Sequence, residues 1–266
     1  QAILLAGGTD LGLRVSKDRE ALPAVIALQA VKELRHVTTG ADAIEIGGAV
    51  TYSEILPHLD QSLPSFGALV RRIGSRQIRN LGTIAGNLAT ASPIGDSIPC
   101  LIALDASVRL TSRAGDRVLP VESFITGYRK TALAAGEIIA AVRIPFLEPS
   151  QKFSVYKLSK RFDQDISTVI AAFRLERDGG KVRELRAAYG GMAARAMRAI
   201  TLEAAVRGRP WEAAWLPDAE TLLARDFTPI GDHRGGASYR LRAAAGLLRR
   251  FQFETSSNVL VRVDAL

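Results

Sequence analysis

The sequence of 266 residues lacks any run of about 18 uncharged apolar residues, the length from which a membrane-spanning helix is predicted. Its one cysteine, Cys100, excludes an internal disulfide and also an iron–sulfur cluster, which needs about four thiolates. A single cysteine fits a reducing compartment, so we expect a soluble, cytoplasmic protein without a membrane partner. The sequence opens at Gln1 without the features of a signal peptide, which indicates a piece of a longer chain.

Several common signatures of enzymes are missing as well. The motifs GxGxxG, GxxxxGK[ST], HExxH, CxxC and GxSxG do not occur. The sequence therefore gives no support for four functions: Rossmann-type dinucleotide binding, P-loop phosphate binding, zinc hydrolysis and serine-elbow acyl transfer. The three histidines, His36, His58 and His233, lie far apart and show no metal-ligand spacing, so no metal site is predicted in this chain.

The charge of the chain is strongly positive. Lys and Arg number 35 against 27 Asp and Glu, a net charge of +8, which could indicate binding to nucleic acid or anionic lipid. The basic residues are spread along the chain, however, and aromatic residues make up only 6%. We expect a basic surface that faces an anionic cofactor or a more acidic partner, and no nucleic acid.

The first two of three sections differ in their pattern of apolar residues. Residues 1–60 alternate short apolar runs at 3–6, 25–28 and 44–47 with helix-like pieces, which indicates a βαβ arrangement. Thr51 and Glu54 form a predicted capping box at the start of a short helix. The second section begins with a predicted amphipathic helix at 66–73 and continues into a polar loop at 74–97. A helix capped by Asp96 or Ser97, a hairpin around Gly115 and a strand at 138–144 complete this section.

The third section begins near Ser150, after two prolines. Segments 153–158, 168–175 and 182–189 alternate as antiparallel strands do, and Asp178-Gly179-Gly180 predicts the turn between the last two. Helices are predicted around 202–206 and 219–225, followed by a long final helix with Leu241, Ala244, Leu248 and Phe251 on one stripe.

Two glycine-containing stretches are candidates for ligand binding. The first, Leu4 to Gly12, runs from a buried strand into small residues, where backbone N–H groups can turn toward one anion such as a pyrophosphate. A tight turn without a ligand is the alternative. The second, Gln77 to Asp96, mixes Gly, Asn, Thr, Ser and Asp with apolar residues and suits a polyhydroxylated ligand; a long surface loop is the alternative.

Together and in this order, the two stretches resemble the FAD domain of the molybdenum hydroxylases. The first loop of that family reads like L-x-A-G-G-T-D-L, and the second like Q-I-R-N-x-x-x-x-G-G-N-x-x-x-A-S-P-x-x-D; Ala85 stands here for the first glycine of Gly-Gly-Asn. Further segments resemble the xanthine dehydrogenase branch, most of all its small iron–sulfur and FAD subunit in bacteria. These segments are Gly127-Tyr128-Arg129-Lys130-Thr131, Glu137-Ile138-Ile139, Arg143-Ile144-Pro145, Tyr156-Lys157, Asp165-Ile166-Ser167 and Tyr189-Gly190-Gly191-Met192-Ala193.

The resemblance implies an α+β fold of two domains. Residues 1–149 would form a PCMH-type FAD-binding domain with subdomains at about 1–60 and 61–149. Residues 150–266 would form a C-terminal domain with a three-stranded antiparallel sheet and helices.

The resemblance also implies where FAD is bound. Main-chain amides of Ile3, Leu4, Leu5, Ala6, Gly7, Gly8, Thr9 and Asp10 would wrap the pyrophosphate. Gly86, Asn87, Thr90 and Asp96 would complete the pocket, with Asp96 accepting hydrogen bonds from ribose or ribityl hydroxyls. Ile139 would meet the isoalloxazine, and Ile73 stands where relatives carry an aromatic residue.

Further residues would tune the flavin, and one of them, Lys157, would also bind the cofactor. Lys157 would place a cation near the pyrimidine edge and favour the reduced form, although an exposed strand lysine is the alternative interpretation. Tyr128 would lie near the nicotinamide entry, and Asp163 or Asp165 would alter the field near the ring. No acid–base or nucleophilic residue is expected.

The implied activity is electron relay in xanthine dehydrogenase. A molybdopterin centre on another domain or subunit would oxidise hypoxanthine or xanthine to urate, and [2Fe-2S] clusters would carry the electrons to FAD and then to NAD. The expected partners are therefore an iron–sulfur domain and a molybdopterin-binding subunit in a hetero-oligomer. The alternatives are the flavoprotein of another molybdenum hydroxylase, of carbon monoxide dehydrogenase or aldehyde oxidase type, a flavin-free scaffold, and an oxidase with covalent flavin.

Overall fold

The computed structural model describes residues 2–257, 259 and 261, and two antiparallel sheets with helices on them form an α+β fold. Strands and helices are numbered here in chain order. Among the described residues, no helix combines the length and the apolar character that crossing a bilayer requires.

The N-terminal segment is a small βαβ unit, as the sequence predicts. Strand β1 (Ile3–Leu5) pairs in parallel with β2 (Val25–Ala27), and helix α1 (Leu11–Ser16) lies between them in the chain. The third apolar run of this section does not continue the unit. It forms β4 (Ala43–Gly47), which pairs antiparallel with β9 (Ile138–Pro145) in a different sheet, so the βαβ interpretation was wrong for this run.

The larger sheet has five antiparallel strands. Its order is β3-β4-β9-β5-β6, so β9 lies at the centre although it comes last in the chain. The predicted hairpin is confirmed, because β5 and β6 pair directly through a turn that ends at Gly115 (φ +119°). The remaining strands of this sheet are β3 (Val37–Thr39), β5 (Ser107–Ser112) and β6 (Gly115–Pro120).

Five helices follow β4 and supply most of the apolar core of this part. The predicted capping box is present, since Thr51 and Glu54 satisfy each other's backbone N–H groups. The segment predicted as a loop, 74–97, instead contains two short helices. Ser75 and Thr83 cap them by accepting hydrogen bonds from the N–H groups of Ile78 and Gly86. The helices are α2 (Tyr52–Ser62), α3 (Pro64–Arg71), α4 (Arg76–Arg79), α5 (Ile84–Thr90) and α6 (Ser97–Ala103).

A short connection leads from β6 to the central strand. It consists of α7 (Val121–Phe124), β7 (Ile125–Gly127) and β8 (Lys130–Thr131), and the last two form a small hairpin. Arg129 in its turn has a positive φ of 50°, which is uncommon for a residue other than glycine.

The second sheet has four antiparallel strands rather than the three that the sequence predicts. Glycines 179 and 180 form the predicted turn with φ of 55° and 80°. The additional strand has only two residues and pairs with Ala188 and Tyr189. Two residues are too few to show an alternating pattern, which explains the missed strand. In order, the strands are β10 (Gln151–Leu158), β11 (Val169–Asp178), β12 (Lys181–Gly190) and β13 (Met197–Arg198).

The C-terminal helices cover one face of the second sheet. The stripe predicted on the last helix is confirmed in part: Ala244, Leu248 and Phe251 are buried and Leu241 is half-buried. Phe251 stacks on Phe173 of β11 with ring centroids 5.1 Å apart, which joins helix and sheet. These helices are α8 (Ile200–Val206), α9 (Ala219–Asp226) and α10 (Ala237–Ser257), and short 3-10 helices lie at Lys32–Leu34 and Ala213–Asp218.

The other face of the second sheet packs on the first part of the chain. Ile170, Ala172 and Ala188 are buried in the same apolar cluster as Ile98 and Leu101 of α6. Because this packing brings the end of β10 and the start of β11 next to α5 and α6, it determines where the candidate site forms.

Candidate cofactor site

A cavity of about 790 Å³ brings together the two glycine-containing stretches and the connection between β10 and β11. Almost all the candidate site residues line it, although they come from distant parts of the sequence. Ile3 and Tyr128 do not line the cavity, and Tyr128 is 61% exposed. The candidate residues in the lining are Leu4, Leu5, Ala6, Gly7, Gly8, Thr9, Asp10, Ile73, Gly86, Asn87, Thr90, Asp96, Ile139 and Lys157.

The first stretch offers unpaired backbone donors to the cavity. Gly8 has a φ of 70°, so the chain turns sharply between β1 and α1. Within the part of the chain that the structure describes, the N–H groups of residues 7–10 donate no hydrogen bond. Successive unpaired amides in such a turn can share an anion, and a pyrophosphate fits this arrangement.

Close backbone contacts hold the two stretches together. A Cβ atom added to Gly7 would lie 2.1 Å from the carbonyl oxygen of Leu81, and one added to Gly48 would lie 2.1 Å from the carbonyl oxygen of Ile139. No side chain is possible at either distance without a shift of the backbone. Gly7 and Gly48 therefore allow the loop after β1 and the strand β9 to approach their neighbours around the cavity.

A buried hydrogen-bond chain orients the second stretch. The Tyr52 hydroxyl donates to Ser97 Oγ (3.3 Å), and the Ser97 hydroxyl donates to Asn87 Oδ1 (2.7 Å). Burial raises the pKa of Tyr52 well above its ordinary value, so its hydroxyl stays protonated. With its oxygen occupied, the Asn87 amide presents its NH₂ donors, which have no acceptor among the described residues.

Lys157 and Asp96 form a buried ion pair at the wall of the cavity. Lys157 Nζ lies 2.5 Å from Asp96 Oδ2, and the two side chains are 3% and 9% exposed. The Ser167 hydroxyl donates to the other carboxylate oxygen, Oδ1, at 2.5 Å. The interpretation of Lys157 as an exposed strand lysine is therefore wrong. The Asp96 side chain also does not cap α6, because Lys157 and Ser167 engage both its oxygens.

Arg72 fixes the backbone next to this pair. Its guanidinium donates to the carbonyl oxygens of Lys157 (3.0 Å) and Phe162 (3.1 and 3.2 Å) and lies over the Phe162 ring, 4.8 Å from the centroid. Lys157 in turn donates to the Arg72 carbonyl oxygen (3.3 Å). The connection 159–168 is thereby tied to the end of α3, next to Ile73.

Of the two acidic residues expected near the ring, only Asp165 lines the cavity. The Arg161 backbone N–H donates to its carboxylate (2.8 Å) and lowers the pKa of Asp165. Asp163 is exposed and lies outside the lining.

Several lining residues were not expected to take part in binding. Ser167 and Arg129 both lie in segments that carry the family resemblance, and this could have identified them as candidate binding residues. Tyr52 and Gln164 had no such signal, because only the packing of α2 and of the 159–168 connection brings them to the cavity. Other lining residues belong to the two candidate stretches or to a resembling segment without being singled out there: Leu11, Ile78, Gly82, Thr83, Ala85, Ala89, Ser92, Ile94, Gly95 and Ile166. The lining residues outside these parts of the sequence are Leu13, Arg14, Leu28, Gly48, Gly74 and Leu133.

The residues of the cavity fit FAD in three respects. Unpaired amides suit a pyrophosphate, the Asn87 amide suits a hydroxyl or carbonyl, and the aliphatic side chains of Ile73, Ile139 and Leu133 suit a flat ring system. Among the described residues, no group of three His, Cys, Asp or Glu side chains could hold a metal ion.

Comparisons with known proteins agree with these features. Residues 1–147 match the family model described as the FAD binding domain in molybdopterin dehydrogenase, and residues 154–255 match the CO dehydrogenase flavoprotein C-terminal domain. A carbon monoxide dehydrogenase structure from Hydrogenophaga pseudoflava superposes with a TM-score of 0.87 at 29% identity, over 94% of this chain and 87% of that chain.

Two curated relatives differ in length. Xanthine dehydrogenase/oxidase of Gallus gallus is 32% identical over 249 residues, 88% of this chain but 18% of that protein. The glyceraldehyde dehydrogenase medium chain of Sulfolobus acidocaldarius is 29% identical over 239 residues, 89% of this chain and 84% of that protein. The chain thus spans about a fifth of the length of the first curated relatives that it matches.

Proposed function

Because the chain belongs to the family of FAD-binding domains of molybdopterin dehydrogenases, we propose that it is the FAD-carrying part of a xanthine dehydrogenase. It would receive electrons that a molybdenum centre elsewhere removes from hypoxanthine or xanthine, giving urate, and pass them to NAD. Bound FAD would supply the one chemistry that side chains lack, the acceptance of single electrons and their delivery in pairs.

The cavity shared by both glycine-containing stretches and Lys157 is the observation that carries this proposal. In it, the amides of residues 7–10 would bind the pyrophosphate, and Asn87 would donate to a polar group of the cofactor. Gly86 and Thr90 would line the path between them. Ile73 and Ile139 would exclude water from the ring system, and Lys157 would supply a cation close to it. The protein groups would thus bind and orient the cofactor and tune its reduction potential, and none would transfer a proton.

The assignment of NAD as electron acceptor is supported by the β7–β8 hairpin. Its sequence carries the resemblance to the xanthine dehydrogenase branch, and its turn presents an exposed Tyr128 beside Arg129, which lines the cavity. An aromatic ring and a cation at the edge of a cofactor cavity suit a dinucleotide with its own rings and phosphates.

The remaining parts of the proposal follow from the same assignment. We propose an FAD-binding domain and a C-terminal domain divided at about residue 149, [2Fe-2S] and molybdopterin partners in a hetero-oligomer, and a cytoplasmic location. A subdomain boundary near residue 60 does not fit the fold, because β3 and β4 lie in the same sheet as β5, β6 and β9. The similarity to carbon monoxide dehydrogenase and to a glyceraldehyde dehydrogenase medium chain supports a second candidate, the flavoprotein of another molybdenum hydroxylase.

Addition of NADH to the FAD-loaded protein without oxygen is expected to bleach the visible absorption of the flavin. The physical reason is that electron transfer between NAD and FAD is reversible, so NADH reduces a flavin whose acceptor is NAD. Absorbance is recorded after NADH and, in a parallel sample, after dithionite. Bleaching by dithionite but not by NADH would contradict NAD as the acceptor and favour the second candidate.

A further inference from the structure

We propose that Asp96 and Ser167 are positioning residues for Lys157, and that Asp96 is the counter-charge that limits how far this lysine favours the reduced cofactor. The inference rests on the proposed function and deepens it, because it concerns how the protein sets the relative affinity for reduced and oxidised FAD.

The Asp96 carboxylate has a donor from the chain on each of its oxygens. Asp96 Oδ2 accepts from Lys157 at 2.5 Å and Oδ1 accepts from Ser167 at 2.5 Å, so both oxygens have donors from the chain itself. Ser167 is 1% exposed and precedes β11, which fixes its backbone. These two donors fix the orientation of the carboxylate and hold its charge next to the ammonium group of Lys157, while each oxygen keeps a further lone pair.

The Lys157 ammonium group is oriented by two acceptors of the chain. A lysine ammonium has three donors. Asp96 accepts one of them, the Arg72 carbonyl oxygen accepts a second at 3.3 Å, and the third is left for the occupant of the cavity. The aspartate and the backbone of α3 together therefore determine where the remaining N–H points.

The charges of Lys157 and Asp96 oppose each other at the wall of the cavity. The Lys157 side chain is 3% exposed and that of Asp96 is 9% exposed, so water screens their fields poorly. A cation alone at this wall would favour the more negative, reduced form of FAD. A cation paired at 2.5 Å with an anion favours it much less, because the two fields largely cancel at the distance of a cofactor ring. Asp96 would thus limit the effect of Lys157.

The test is to measure the dissociation constant of oxidised FAD and the midpoint potential of bound FAD in Asp96→Asn, Asp96→Glu, Ser167→Ala and Lys157→Met. Uniform changes in binding leave the potential unchanged, whereas a tenfold change in the ratio of reduced to oxidised affinity shifts it by about 30 mV for two electrons. Matched controls outside the cavity are Asp60→Asn, Ser62→Ala and Lys152→Met, the last on the same strand as Lys157.

Asp96→Asn is expected to raise the midpoint potential by about 30 mV, which is a tenfold change in the ratio of reduced to oxidised affinity. Lys157→Met is expected to lower the midpoint potential. Asp96→Glu retains the charge and stays near wild type. Ser167→Ala shifts the potential in the same direction as Asp96→Asn but less, because the carboxylate is kept and only loosened. The three controls leave the potential unchanged.

Two results would overturn the inference. If Asp96→Asn weakens the binding of oxidised and reduced FAD equally, the potential stays constant and Asp96 is not a counter-charge that limits the effect of Lys157. If Ser167→Ala behaves as wild type while Asp96→Asn does not, Ser167 is not a positioning residue. A wild-type protein that binds no FAD would overturn the proposed function as well, so the two failures can be told apart.

Discussion

Replacing Gly7 with alanine is expected to weaken FAD binding by on the order of a hundredfold. The added Cβ would lie 2.1 Å from the Leu81 carbonyl oxygen, 2.6 Å from its carbon and 2.8 Å from Gly82 Cα, all backbone atoms that cannot rotate away. The loop after β1 must therefore move off the second stretch. Because the unpaired amides of residues 7–10 belong to this loop, their common direction toward one anion is lost.

Gly12→Ala is the control for this prediction. Gly12 lies five residues further on, in α1, and an added Cβ meets no atom within 4 Å. Alanine there should leave FAD affinity unchanged and stabilise the helix by up to about 1 kcal/mol. Quenching of FAD fluorescence on titration measures both affinities. Equal affinity in Gly7→Ala and wild type would show that the pyrophosphate does not lie against this loop.

Lys157→Met is expected to lower the free energy of unfolding of the FAD-free protein by about 3–5 kcal/mol, because it leaves the buried Asp96 carboxylate without its cation. Adding Asp96→Asn in the same chain should recover most of this loss. The double variant contains no buried charge, and asparagine still offers Ser167 an oxygen to donate to.

Urea unfolding of the two variants and of wild type measures these differences. Lys152→Met removes an exposed lysine from the same strand and should change the free energy of unfolding by no more than about 0.5 kcal/mol. A loss in Lys157→Met no greater than that of Lys152→Met would contradict a buried ion pair. If the double variant is as unstable as Lys157→Met alone, the loss in free energy of unfolding comes from the packing of the lysine side chain and not from the unpaired carboxylate.

The elements that were predicted well depend on neighbouring residues. The capping box of Thr51 and Glu54 and the turn at Gly179 and Gly180 are formed within four residues, so their sequences determine them directly. The caps at Ser75 and Thr83 are equally local, but neither has a Glu or Gln three residues later, and the two short helices were therefore interpreted as loop.

What the sequence could not show is how distant segments meet. Strand β4 pairs with β9 about 95 residues later, and no local pattern distinguishes this partner from a parallel neighbour. The sequence predicts both Lys157 and Asp96 as candidate residues, yet 61 positions separate them, and only the packing of α6 on the second sheet brings them together. Ser167 joins the pair for the same reason.

The most direct test of the central claim, that this chain holds FAD between its two glycine-containing stretches, is to measure the flavin content of the purified protein. The protein is precipitated by heat, and the flavin in the supernatant is identified and quantified against protein, with Gly7→Ala treated in parallel. We expect one FAD per chain in wild type and little in the variant. A colourless wild-type protein that takes up no FAD supplied in excess would contradict it.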